Sequence, residues 1–255
     1  MNTAIPKLVS DAPRAMSDAE RAQRVDLAAC YRLIDLYKMS KVIWNHITAR
    51  VPGTHDRILI NRFGLRYDEV TASNLLTIDL DGNIIDGTRE DLNITGYVIH
   101  SAIHRARPDV ACVLHSHARG GRAVAALKCG LLPLSQEALT FYDEVGYHDY
   151  EGLSDDEAER DRLAAALGDK NQMFLRNHGV ITVGRTVAEA YWRMFILELA
   201  CTNQMDVLAS GQDYVIPPRE VCLKARGQHL QSQLGKDEWP ALLRQLDGVC
   251  PDYRT

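Results

Sequence analysis

The sequence predicts a single three-layer α/β domain, with a mainly antiparallel central sheet flanked by helices. Three observations point to it. Short apolar stretches of strand length follow one another with turn chemistry between them, most clearly Leu76–Leu80 and Asn83–Ile85 around Asp81-Gly82, a dipeptide that accepts the positive φ of a tight hairpin turn. Segments with apolar residues every three or four positions alternate with these stretches. Neither a repeat nor a Pro/Gly/Ser-rich linker divides the 255 residues, a length sufficient for one large core.

Residues 1–16 contain prolines and alanines without a period and are expected to form a mobile arm, so the folded domain should span 17–255. Ser17-Asp18-Ala19-Glu20 has the form of a capping box, opening a helix to about Lys38 with Val25, Ala28, Ala29, Leu33 and Leu36 on one face. Val42–Val51 alternates as a strand and ends at Pro52-Gly53; Arg57–Ile60 is a second strand, followed by a turn at Gly64. Ile94, Val98 and Ala102 mark a helix that Arg107-Pro108 closes. After the strand Val113–His117, a helix is expected over 118–128, and short strands at Leu131–Leu134 and Gly146–Tyr150. Ser154-Asp155-Asp156-Glu157 caps a helix that Gly168 ends. Strands Gln172–Leu175 and Val180–Val183 precede a helix, Val187 to about Leu208, opened by Thr186. Its stripe of Ala190, Met194, Leu197 and Cys201 is core. One or two helices should follow Pro217.

Composition excludes several classes of function. With 29 basic and 34 acidic side chains the formal charge is −5, and no basic block is interleaved with aromatics, so nucleic acid is not an expected partner. The apolar run from Met194 to Ala200 is broken by Glu198 and is far too short to span a membrane. Lys7, Asp11, Arg14 and Asp18 interrupt any signal-peptide core. Six cysteines without a CxxC pair suit reduced thiols, and a cytoplasmic location is expected.

The chemistry concentrates at Val113-Leu114-His115-Ser116-His117. On a strand, side chains two apart project the same way, so His115 and His117 can share one metal ion. A third ligand is offered by His178, in the polar turn Arg176-Asn177-His178-Gly179 that ends another apolar strand. Three imidazoles with an open position make a catalytic arrangement rather than a structural one. The plainer alternative is three hydrogen-bonded histidines at strand ends.

The run Arg107–His117, with Arg176-Asn177-His178-Gly179-Val180 and the helix residues Glu189-Ala190-Tyr191-Trp192, resembles the class II aldolase/adducin family from about Asp26 to Asp206. The resemblance implies that fold, a divalent metal (zinc first; iron, manganese or cobalt as alternatives) held by His115, His117 and His178, and a homotetramer with sites between subunits. It also implies aldol cleavage, decarboxylation or epimerisation of a small-molecule substrate. Two departures stand out. Where the sugar-phosphate aldolases carry a proton-transferring glutamate, this chain has Gly96, expected to open the floor of the site. Asn45, Gly64 and Thr95 match the family's phosphate cradle, whereas Phe63 and Ile94 stand where hydroxyl residues would be. A flatter, non-phosphorylated and even aromatic substrate is expected, with Arg62 or Arg66 holding a carboxylate.

Glu137, near where those aldolases carry a tyrosine that acts from a neighbouring subunit, and His100, one turn after Gly96, are the candidate acid/base groups. His100 is alternatively a supporting partner or a fourth ligand. With His104 it forms an i, i+4 pair that lacks the glutamate of HExxH. The expected function is a metal-dependent carbon-carbon lyase. A non-haem iron oxygenase and a non-catalytic adducin-like binding domain are the alternatives.

Overall fold

The computed structural model describes residues 16–85, 92, 94–152, 159–231 and 233–255, with the backbone alone at 94 and 95. Seven strands form one sheet: β1 (His46–Arg50), β2 (Arg57–Ile60), β3 (Leu76–Asp79), β4 (Cys112–Ser116), β5 (Val145–His148), β6 (Gln172–Leu175) and β7 (Gly179–Gly184). Their order is β3-β2-β1-β4-β7-β6-β5, and every neighbouring pair is antiparallel except β5–β6. The mainly antiparallel α/β expectation is met. The helices are α1 (Asp18–Leu36), α2 (Ile94–Ala106), α3 (Arg119–Ala125), α4 (Gln136–Leu139), α5 (Glu159–Leu167), α6 (Val187–Ala209), α7 (Arg219–His229) and α8 (Glu238–Val249). None of the described helices is long and apolar enough to cross a membrane.

Strand alternation sends successive side chains to opposite layers. Ile47, Ala49, Cys112, Leu114 and Phe174 join a core shared with α1, α3 and α6, through Leu27, Tyr31, Val124, Met194 and Leu197. On the opposite face Val113, Met173, Ile181 and Val183 pack with Ile99 and Ile103 of α2 and Leu163 of α5. Ile58, Ile60 and Ile78 form a separate cluster there with Tyr97 and Val98.

Local chemistry explains the element ends. Ser17 Oγ accepts the Glu20 N–H at 3.1 Å and starts α1, while the Glu20 carboxylate lies 3.5 Å from Arg24 Nε. The Asp81-Gly82 turn forms, with Gly82 at φ 84° and the Asp79 carboxylate accepting the amides of Asp81 and Asn83. β1 begins four residues later than expected, because Val42 at φ 53° and Asn45 at φ 79° leave the extended region. Leu131–Leu134 is not a strand: the Leu132 amide donates to the Gln204 side chain and the Leu134 amide turns back onto Leu132 O, so this backbone is already paired. The proposed cap Ser154–Glu157 lies outside the described residues.

Candidate metal centre

β4 and the β6–β7 turn bring the three histidines together. His115 is paired with Ile181 one residue before the end of β4, and His117 follows where the chain leaves the sheet. The β6–β7 hairpin closes on Leu175 opposite Gly179, with Asn177 at φ 57°, and delivers His178 from its turn. Ring centroids are 4.8 to 4.9 Å apart in all three pairs, and the ligating nitrogens lie within 4.8 Å of one another. His115 Nε2 is 3.0 Å from His117 Nε2, close to the roughly 3.3 Å that two nitrogens on one tetrahedral ion would keep. Gly179 is required by this approach, since a Cβ there would stand 2.8 Å from His117 Cδ2 and 2.7 Å from Ser116 O.

The electrostatics suit a cation. Burial lowers all three pKa values, most at His115, where the other two imidazoles add to it; that of His117 falls to about 4. The rings are therefore neutral at pH 7, with lone pairs free to ligate. His115 Nδ1 lies 3.1 Å from Val180 O and donates to it in the tautomer that leaves Nε2 for a metal, a typical support for a ligating imidazole. Glu198, from α6, accepts the Gly120 and Gly121 amides at 2.7 Å each and anchors the start of α3 just beyond His117. The donor set, its neutrality and its supporting bonds fit a divalent ion. A second grouping, His148 with Glu151 and Glu159, is already paired: His148 lies 3.3 Å from Glu159, and Arg162 spans Glu151.

Beside the three histidines lies a residue that the sequence reading missed. His46 on β1 is the cross-strand partner of His115, and the two rings stack at 5.4 Å. His46 also corrects the expectation at Gly96. The floor is not open, because a Cβ at Gly96 would fall 2.2 Å from His46 Cδ2 and 2.5 Å from its Nε2. The imidazole of His46 fills the space that a side chain at position 96 would take. The available signal was its position at the head of a strand beside the matching Asn45, but the register that sets it against His115 is a tertiary fact.

His100 bonds not to the three histidines but to His46, at 2.8 Å from its Nδ1. Thr48 Oγ1 links His100 Nδ1 at 2.7 Å to His104 Nε2 at 2.9 Å, which accounts for the i, i+4 pair as a hydrogen-bonded array rather than a metal site. Asn45 is buried in a left-handed conformation, and neither of its side-chain polar atoms has a partner among the described residues. Arg62, half-buried, and exposed Phe63 and Gly64 follow β2, while Arg66 is exposed and engaged with Asp68 and Glu69. The side chains of Ile94 and Thr95 lie outside the described residues. Glu137 is half-buried in the first turn of α4, which packs on α6 and α7; among the described residues it makes no hydrogen bond or ion pair to the histidines. In the aromatic stretch 141–150, Tyr150 is exposed and meets the His178 ring at 6.4 Å, whereas Tyr147 stacks on Phe174.

Fold and site together define the class: an α/β protein whose mainly antiparallel central sheet brings three histidines together where β4 ends and the β6–β7 hairpin turns. The chain belongs to the class II aldolase/adducin family, and the family model "Class II Aldolase and Adducin N-terminal domain" matches residues 25–205. It is similar to alpha-adducin of Rattus norvegicus, 43% identical over 94% of this chain and 35% of that protein. Among solved structures it is similar to an aldolase II superfamily protein from Pseudomonas syringae, with TM-score 0.90 and 47% identity over 94% of this chain and 98% of that one. It is also similar to the L-fuculose 1-phosphate aldolase from Glaciozyma antarctica PI12, with TM-score 0.84 and 25% identity over 97% of each chain.

Proposed function

We propose that the protein is a divalent-metal-dependent lyase. It would break a carbon-carbon bond beside a carbonyl, by aldol cleavage or decarboxylation, in a small non-phosphorylated carbonyl or carboxylate compound. The observation that carries this reading is the convergence of three neutral imidazoles on one point. A divalent ion, zinc by preference and manganese, cobalt or iron as alternatives, supplies Lewis-acid stabilisation of the negative charge that develops on a substrate oxygen. His115, His117 and His178 hold it without neutralising its charge.

The unpartnered amide of Asn45 would orient the substrate, and its strained backbone suits a binding role. Arg62 would attract a carboxylate, Phe63 and Gly64 would form the approach, and Thr95 and Gly96 at the start of α2 would border the site. In a homotetramer with sites between subunits, Glu137 of a neighbouring copy would carry the proton. Sugar phosphates should be poor substrates, because Phe63 offers no donor to a phosphate oxygen.

The likeness to alpha-adducin favours a second reading, a metal-free binding domain. Metal analysis of the purified protein, together with turnover of a panel of hydroxy and oxo acids with and without dioxygen, tests both. Stoichiometric zinc, manganese or cobalt and oxygen-independent carbon-carbon cleavage support the lyase. Bound iron with obligate dioxygen use would replace it with an oxygenase, and protein that never takes up metal would replace it with the binding domain.

A further inference from the structure

We propose that His46 presents a fixed hydrogen-bond donor to a carbonyl or carboxylate oxygen of the substrate, from the place that a side chain at position 96 would occupy. The donor is set by a one-way chain of bonds that begins at Arg50. A guanidinium can only donate. Arg50 Nη2 donates to His104 O at 2.7 Å and stands 3.4 Å from His104 Nδ1, a contact that favours that nitrogen as acceptor and the His104 proton on Nε2. His104 Nε2–H then donates to Thr48 Oγ1 at 2.9 Å. The single hydroxyl proton of Thr48 goes to His100 Nδ1 at 2.7 Å, and His100 Nε2–H goes to His46 Nδ1 at 2.8 Å. His46 is left with its proton on Nε2, the nitrogen that stands 2.5 Å from where a Cβ at position 96 would be.

Thr48 and the three imidazoles are buried and Arg50 is half-buried; each ring accepts at one nitrogen and donates at the other, so the direction propagates. Gly96 lets the ring sit there, and stacking on His115 keeps it beside the centre. A glutamate at position 96 would accept a proton; His46 Nε2–H instead polarises an oxygen. This selects substrates that place an acceptor oxygen next to the reacting bond, and it relieves the chain of a base at this position. The competing arrangement has His104 Nδ1–H donating to Val110 O, which reverses every proton and makes His46 Nε2 an acceptor.

The substrate role rests on the metal-centre reading; the direction of the chain does not. Long-range 1H–15N spectra of the full chain at pH 7 report which ring nitrogen is protonated. We expect pyridine-type Nδ1 and pyrrole-type Nε2 at His46, His100 and His104, without metal and with zinc. Pyrrole-type Nδ1 at His46 or His100 overturns the proposal. In zinc-loaded wild type, oxalate should move the His46 Nε2–H resonance, and an unmoved resonance overturns the donor role. His46→Phe keeps an aromatic ring and removes the donor. Its oxalate affinity should fall about tenfold or more, as for one lost hydrogen bond to a charged acceptor, and undiminished affinity also counts against the role. If wild type takes no zinc, the metal-centre reading fails while the nitrogen assignments still decide the direction of the chain.

Discussion

The two faces of the sheet are built differently. The face toward α1, α3 and α6 is one continuous apolar core, running from Ile47 and Ala49 through Leu114 to Phe174 and Val180. The face toward α2 and α5 holds two apolar clusters, one around Val113 and Ile181 and one around Ile58 and Ile78. Between them β1 places His46 and Thr48 under His100 and His104 of α2. The first face tolerates change in small increments, since dispersion and burial add roughly by area. The second contains a polar seam in which each group depends on the next, and a buried donor or acceptor left unpaired costs more than a lost methyl group.

The largest test of this contrast is at the three-histidine end of the seam. His115→Ala should weaken zinc binding by more than about a hundredfold, beyond the 10- to 100-fold typical of a supporting group. Titration calorimetry on metal-stripped protein measures it, and zinc affinity near wild type would remove His115 from the ligand set. Next in size, Thr48→Val keeps the shape and removes the hydroxyl, leaving His100 Nδ1 and His104 Nε2 each short of a partner. It should cost about 2 to 4 kcal/mol in urea unfolding.

Acid should act on the same seam. Burial, reinforced by Arg50, lowers the pKa of His104 to about 3. A base with a lowered folded pKa contributes stability that is whole above its unfolded value near 6.5 and drains away as pH falls toward the folded value. Between pH 7 and pH 5 His104 alone should remove about 2 kcal/mol from the metal-free protein. A urea midpoint that is flat over that range would show that the ring is not held neutral by the fold. The smallest effect belongs to the other face. Ile47→Val, next door to Thr48 on β1, should cost about 0.5 to 1.5 kcal/mol. If it costs as much as Thr48→Val, the contrast between the faces is broken.

Much of this contrast was legible at the level of elements, and less of it at the level of contacts. The Asp81-Gly82 turn, the Ser17 and Thr186 caps and the 3.6-residue stripe of α6 are local chemistry, and each stands where the sequence reading put it. The strand expected from Val42 and the one at Leu131–Leu134 failed for nonlocal or conformational reasons: positive φ at Val42 and Asn45 in the first, a side-chain partner 72 residues away in the second. His115, His117 and His178 were legible as a set, and the structure brings their nitrogens within 4.8 Å of one another. His46 was not, and its absence made Gly96 read as a gap.

By itself, then, the sequence determined the periodicities, the turns and the family's histidine spacing, because these depend on backbone preferences and neighbours a few residues away. Only the tertiary structure decided what stands opposite what. The β1–β4 register sets His46 against His115, and the seating of α2 on β1 places Gly96 on the His46 ring and ties His100 and His104 to Thr48. Strand register and helix docking are fixed by burying apolar area across the whole sheet, a sum over residues far apart in the chain, and no local pattern around position 46 or 96 carries that sum.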